Sequence, residues 1–380
     1  MGEKMIVKIA NVLKGKRFTK VCFDSNNLFP DGVGGQLGDR GIIDGEGFVF
    51  VERSNKQICV SVDTEKNFDI GKNVELEVDE NRRYDIAQQH TAQHLLSAII
   101  SKEFSAETKG FQMGEEYSTI DIDLPQFEVS HEKIVEKYFF DEVRQCRNVY
   151  KKEYPIGKID SLNLRKPIDS SLIGKKEKIR IVSIEGTDRI ACSGFHVDNT
   201  GELGFLKILK AEKKKSEITR LYFVAGLRTL KYFQKIHYLT KWINNELTCG
   251  LNEIPDKLKK MEQQIKDLKR NENKLLDNLA KFYAKRVNKE KGLCKFLDAE
   301  KSIIEKIPSY LDDKRYVFIG KIEENKFMIF SKEIDLKNIF SHIKKELPVN
   351  GGCGKTKGQI VTNLPAEELV DNIEKFLREE

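Results

Sequence analysis

Over the first eighty residues, short apolar runs at 21–23, 48–51, 58–62 and 74–78 alternate with glycine-rich turns, DGVGGQLGDRG at 31–41 and DGEG at 44–47. Short β-rich runs punctuated in this way predict a small sheet of β-barrel type. The pattern changes at Asp85. Asp85 with Gln88 three residues on has the form of a capping box, and the following IAQQHTAQHLLSAIISKEF lacks Gly and Pro. That stretch predicts a helix of about four turns. Strands over 117–124 and 179–184 and a helix over 132–149 continue an alternation of helix and sheet through about residue 230.

From Ile254 onward, Leu258, Met261, Ile265, Leu268, Leu275, Leu279 and Phe282 keep a 4-3 spacing, broken by Glu272 at one seam position. A coiled coil and a long helix packed on its own domain both fit a run of about four heptads. Beyond residue 291 come strands at 316–319 and 327–330, a helix at 336–346, the loop PVNGGCGKTKGQ, and a closing helix from Ala366. The whole reads as an α+β chain. A β-barrel-like domain occupies 1–80, a two-layer α/β domain 81–235, a helical, coiled-coil-like segment 236–290, and a C-terminal α/β domain 291–380.

Composition narrows the class. With 39% hydrophobic and 33% charged residues the chain is globular. Its longest apolar patches, 48–51 and 95–100 (the latter broken by Ser97), fall far short of the ~20 residues that span a bilayer, so no membrane partner is expected. The N-terminus has no continuous hydrophobic stretch or cleavage site, which points to the cytoplasm. Seven cysteines without tight spacing argue against a disulfide framework. Cys22, Cys59, Cys146, Cys249 and Cys294 read as packing residues and Cys353 as a loop residue. The net charge of +6 means little if spread evenly. Lys207, Lys210, Lys213, Lys214 and Lys215, however, cluster around a single acid, Glu212, and Lys355 and Lys357 flank glycines. Either these are solvated faces or they meet a polyanion.

The chemistry lies in two spaced pairs. His90 and His94, four apart on the Asp85 helix, project from one face about one turn apart. Cys192 and His196 are also four apart, with Gly194 between them permitting a tight bend. Two chelating pairs of these side chains suit tetrahedral zinc. The zinc peptidase pattern needs Glu directly after the first histidine, and that position is Thr91. Four protein ligands would close the coordination shell, whereas a hydrolytic ion keeps a position open. Both arrangements remain open at the sequence level. GGCGKTKG lacks the spaced leading glycine of a phosphate-binding P-loop.

HTAQHLLSA (90–98), with CSGFHVDNTGELGFLKI (192–208) about a hundred residues later, resembles the editing domain of alanyl-tRNA synthetase and its freestanding AlaX-type relatives. The likeness extends to LFPDGVGGQLGDRG (28–41), GEEYSTIDI (114–122), IRIVSI (179–184) and TRLYFVAGLRTL (219–230). PVNGGCGKTKGQ resembles the glycine-rich segment of the synthetase's C-terminal domain, so the long freestanding form fits the chain. Some eighty residues ahead of the histidine helix leave no room for an aminoacylation core, so the resemblance implies editing in trans.

What the resemblance implies is hydrolysis of the ester in mischarged tRNA(Ala), chiefly Ser-tRNA(Ala), with Gly-tRNA(Ala) a further substrate. One zinc ion per chain would sit on His90, His94, Cys192 and His196. Gly34, Gly35 and Gln36 would form the catalytic turn, the glycines admitting the RNA 3′ end and the Gln36 amide positioning a water or the ribose. Asn26 stands nearest the family's serine-sensing Thr, with Phe29 beside it. Lys207, Lys210, Lys355 and Lys357 would contact the tRNA backbone, assisted by Arg220 and Arg228, and the helical and C-terminal segments would form a homodimer. Two rivals carry different expectations. A non-catalytic zinc-containing RNA-binding protein would bind without turnover, and a zinc hydrolase of small esters would act without tRNA.

Overall fold

The computed structural model describes residues 4–24, 27–54, 56–168, 177–215 and 217–379. It comprises two compact units, Met1–Trp242 and Ile243–Glu380. Asn26 lies outside the described residues.

The first unit opens with β1 (Lys4–Lys8), β2 (Asn11–Lys14), β3 (Thr19–Phe23), β4 (Gly41–Ile43), β5 (Glu46–Ser54), β6 (Gln57–Val62) and β7 (Asn73–Val78). They form one antiparallel sheet in the order β1-β7-β4-β5-β6-β3-β2 around a core that includes Val21, Phe23, Val60 and Leu76. The barrel expectation is corrected here, because among the described residues no ladder joins β1 to β2. One nearly continuous segment changes partner at Ile9 and Ala10, pairing with β7 before the change and β3 after it. A second correction concerns cysteine. Register places Cys22 opposite Cys59 on β3 and β6 with Cα atoms 4.0 Å apart, and the two are disulfide-bonded. Spacing along the chain carries no trace of a cross-strand register.

Helix α1 (Glu80–Phe104) starts a turn and a half earlier than the capping-box expectation. Asp79 is the N-cap, accepting from Arg82 N, while the Asp85 carboxylate is bound by the Arg228 guanidinium. Every residue from Ile86 to Ile100 is buried, so the helix is enclosed on all sides and has no polar face. An unpaired buried polar group costs about 1–3 kcal/mol, and this helix buries seven polar side chains, so partners matter. Gln89 exchanges two hydrogen bonds with the Ala225 backbone, Gln88 donates to Glu202 O, and Gln93 donates to Ser97, which bonds Thr108. The remaining three, His90, Thr91 and His94, belong to the site.

Around α1 lie β8 (Thr108–Met113), β9 (Ser118–Ile122), α2 (Val129–Arg144), β10 (Val149–Pro155), β11 (Lys178–Ile184), β12 (Asp188–Ala191), β13 (Leu206–Lys215), β14 (Ile218–Ala225) and α3 (Gly226–Leu247). The helix expected to reach residue 149 ends at Arg144, where Cys146 takes a left-handed φ of 47° and the chain turns into β10. Two antiparallel sheets result, β13-β14-β9-β8 and β10-β11-β12, sharing a core with α1 and α2.

The second unit contains α4 (Ile254–Val287), β15 (Cys294–Asp298), α5 (Lys301–Ile304), β16 (Val317–Glu323), β17 (Lys326–Phe330), α6 (Leu336–Glu346), β18 (Asn350–Cys353), β19 (Lys357–Val361) and α7 (Ala366–Glu379). Its sheet runs β15-β16-β17-β19-β18. Alternation along β16 sends Val317 and Ile319 toward α6 and α7, and Phe318 toward α4 and α5, so helices cover both faces. The segment expected as a loop at 348–359 is instead the β18–β19 hairpin. No helix among the described residues is long and apolar enough to cross a membrane.

Candidate metal centre

Three elements of the first unit converge on one point. Helix α1 presents His90 and His94 with ring centroids 5.1 Å apart. The loop after β12 brings Cys192 and His196 over them. Arg180 on β11 pins this loop by donating to Cys192 O at 3.0 Å and Gly194 O at 2.8 Å. The His196 ring then lies 4.5 Å from both helix histidines, centroid to centroid. Cys192 Sγ is 3.5 Å from His90 Nε2 and 3.3 Å from His196 Nε2, and all four ligand atoms fall within 4.8 Å of one another. A tetrahedral ion with bonds of ~2.0–2.3 Å separates its donors by about 3.3–3.8 Å. The two spaced pairs read from the sequence are one cluster, and it fits a divalent ion.

The third element is the glycine turn at 31–41. Asp31 braces it from inside, accepting from Gly38 N and Val51 N and pairing with Arg40. The buried Asp39 carboxylate accepts from Arg83 of α1 at 2.9 Å through both oxygens, docking the turn onto the helix. Gly35, at φ 75°, passes so close to β8 that a Cβ would lie 2.6 Å from Phe111 O. Gln36 therefore enters the cluster and is 1% exposed. Its Oε1 accepts from Phe195 N at 3.0 Å, which identifies that atom as the oxygen, and it lies 2.7 Å from His90 Nδ1. His90 must carry its proton on Nδ1, leaving the Nε2 lone pair toward the cluster. Thr91, at the position where a peptidase would have Glu, has its hydroxyl 3.0 Å from His196 Nδ1, and the same oxygen accepts from Val197 N at 3.2 Å.

Electrostatics agree with a cation site. Burial lowers His90 and His196 well below the ordinary 6.5, helped by neighbouring histidines and Arg180. His94 is lowered to about 3 by burial, then by Arg165 and Arg180. All three are neutral near pH 7, the form in which an imidazole binds a cation. Burial raises the Cys192 thiol, against the pull of Gly194 N–H and Arg180, and a bound cation reverses that preference.

The other expected site residues distribute as follows. The N–H groups of Gly35 and Gln36 donate to Gly32 O and Val33 O within the turn, so the Gln36 side chain is the turn's donor toward the cluster. Its Nε2 is buried without a partner among the described residues. Phe29 packs against Phe195 at 5.1 Å, and the Arg83 guanidinium lies 5.1 Å over the Phe195 ring. Lys207 is tied to Glu132 and Glu136, whereas Lys210 is exposed on β13. Arg220 and Arg228 are engaged internally by Asp121 and Asp85. Lys355 and Lys357 lie at the β18–β19 hairpin of the second unit, Lys357 paired with Glu305. Of two cavities, of about 520 and 390 Å³, the larger has Arg165 and Asp188 in its wall and the smaller has Arg220, and neither is lined by His90, His94, Cys192 or His196. Arg180 and Asp188 carried no sequence signal of their own, because each acts through a fold contact with a distant residue.

Residues 179–222 match the family described as the threonyl and alanyl tRNA synthetase second additional domain. Over 261 residues the chain is 32% identical to the alanyl-tRNA editing protein Aarsd1 of Mus musculus, covering 68% of this chain and 62% of that protein. It is also 32% identical to the alanyl-tRNA editing protein AlaX-L of Pyrococcus horikoshii over 289 residues, 69% of this chain and 67% of the other. The alanine–tRNA ligase of Methanobrevibacter smithii is 28% identical over 77% of this chain, which spans 34% of the ligase.

Proposed function

Since the chain belongs to the alanyl-tRNA editing protein family, we propose that it hydrolyses the ester of mischarged tRNA(Ala) in trans, with Ser-tRNA(Ala) and Gly-tRNA(Ala) as substrates. The observation that carries this is the convergence of His90, His94, Cys192 and His196 beside the Gln36 amide. These four would hold one zinc ion, a donor set of three imidazoles and a thiolate that suits zinc better than magnesium or calcium. Zinc bound there supplies positive charge next to the scissile ester.

The chain's own groups supply the rest. The Gln36 Nε2–H group, which has no acceptor among the described residues, donates to the ester carbonyl oxygen as it gains negative charge, and that bond strengthens toward the transition state. Phe29 and Phe195 offer aromatic faces for the terminal base, with Arg83 beside them for the adjoining phosphate. Lys210 and the exposed Lys213 to Lys215 on β13, and Lys355 and Lys357 at the hairpin, attract the RNA backbone. Two copies associate through the exposed apolar seam of α4. A non-catalytic RNA-binding role is favoured by one observation, that four protein donors would fill a tetrahedral shell. Incubation with Ser-, Gly- and Ala-tRNA(Ala) separates the two, since only the deacylase releases amino acid.

A further inference from the structure

Each of the three clustered histidines turns Nδ1 toward an oxygen from a different part of the fold. His90 meets Gln36 Oε1 at 2.7 Å and His196 meets Thr91 Oγ1 at 3.0 Å. His94 Nδ1 is buried without a hydrogen-bond partner among the described residues, and the oxygen facing it is Asp188 Oδ2, 3.7 Å away. The Asp188 side chain is 1% exposed. Arg165 holds it from the opposite side, Nε to Oδ1 at 2.7 Å and Nη2 to Oδ2 at 3.4 Å. The guanidinium thus grips Oδ1 closely and leaves Oδ2 toward the imidazole.

We infer that Asp188 is the positioning carboxylate of the metal centre, accepting the Nδ1–H of His94, with Arg165 holding it in place. The inference rests on the metal-centre reading above. A buried carboxylate with one cation behind it and an unsatisfied imidazole in front has one remaining partner within reach. About 1 Å of side-chain adjustment converts 3.7 Å into a charge-assisted hydrogen bond of ~2.7–2.9 Å. That bond fixes His94 in the tautomer whose Nε2 lone pair faces the cluster, and it raises the basicity of the ligand. The set of outer partners is then complete: an amide, a hydroxyl and a carboxylate, one per histidine.

The test uses the full chain and reads metal binding rather than turnover. Zinc affinity is measured by chelator competition, and the visible spectrum of the cobalt-substituted protein reports ligand geometry. Asp188→Ala should weaken zinc by about 10- to 100-fold and alter the cobalt spectrum. Asp188→Asn, whose amide oxygen still accepts, should recover most of the affinity. Because Asp188→Ala leaves the partly buried Arg165 guanidinium without its carboxylate, the pair Arg165→Met/Asp188→Leu provides a packed apolar replacement that should show the same loss. Wild-type affinity and spectrum in Asp188→Ala, or in the double variant where the single one does not fold, would overturn the inference. Failure of the wild-type chain to bind one zinc would instead overturn the metal-centre reading, and the two failures are told apart by the wild-type titration alone.

Discussion

The Gln36 side chain decides which nitrogen of His90 carries the proton. Its Oε1 is committed by the Phe195 N–H at 3.0 Å, so the nitrogen 2.7 Å away must be the donor. A turn residue and a helix residue 54 positions apart are thereby joined in one hydrogen-bonded unit. Gln36→Ala should lower zinc affinity about tenfold by releasing the ring, and at saturating zinc should still lower kcat by roughly 10²-fold or more through the lost donor. Chelator competition and turnover, measured separately, check the two parts. Unchanged values in both would remove Gln36 from the site.

Gly194 is needed for space. A Cβ there would lie 2.2 Å from His90 Cε1 and 2.5 Å from Gln36 Oε1, both held in place by their own partners. Gly194→Ala should therefore abolish stoichiometric zinc while leaving the far-ultraviolet circular dichroism of the chain unchanged. Retention of one zinc per chain by this variant would contradict the close approach of the loop to His90.

The metal-free protein should lose stability as the pH falls below about 6.5. His90, His94 and His196 are neutral when folded, with His94 lowered to about 3 by burial, while their unfolded values are ~6.5. Between those limits the unfolded state binds more protons, so stability rises with pH through the window and is fully present above it. Glu115, lowered by Arg82, and Asp121, lowered by Arg220, give up their contributions only below their ordinary 4.5 and 3.8. Asp188, raised by burial, acts in the opposite sense, one group against three. The urea midpoint should fall between pH 6.5 and 4.5, and a flat midpoint across that range would contradict the burial of the neutral cluster.

Much of this centre was legible in the sequence because its signals are local. Spacing of four within a Gly- and Pro-free run places His90 and His94 on one helical face, and Cys192 and His196 repeat the interval. The helix at Leu336–Glu346 and the start of α7 at Ala366 were likewise visible from periodicity alone. The misses share a cause. Asp85 has the form of a cap, but its carboxylate goes to Arg228, 143 residues away, and Asp79 takes the capping role. The Cys22–Cys59 bond depends on the register of β3 with β6, and the pairing of residues 4–14 first with β7 and then with β3 depends on a change of strand partner at Ile9 and Ala10. Thr91 was noticed only as a missing Glu, yet it orients His196.

The seam of α4 predicts the mass of the particle in solution. Ile265, Leu268 and Leu275 are exposed at heptad positions, while Ala280, Ala284 and Val287 are buried in their own unit. Light scattering should give the mass of two chains for the unsubstituted chain, and Leu268→Glu should give that of one. A single-chain mass for the unsubstituted protein would assign the exposed seam no role in self-association.

In the proposed function, one zinc ion held by His90, His94, Cys192 and His196 would serve the deacylation of tRNA(Ala). The most direct measurement is the time course of ester remaining on Ser-tRNA(Ala) incubated with the full chain carrying one equivalent of zinc, beside the same chain with His94→Ala. The zinc-loaded protein should release serine and free tRNA, with the ester surviving in the variant. Intact ester in the presence of the folded, zinc-loaded protein would contradict it.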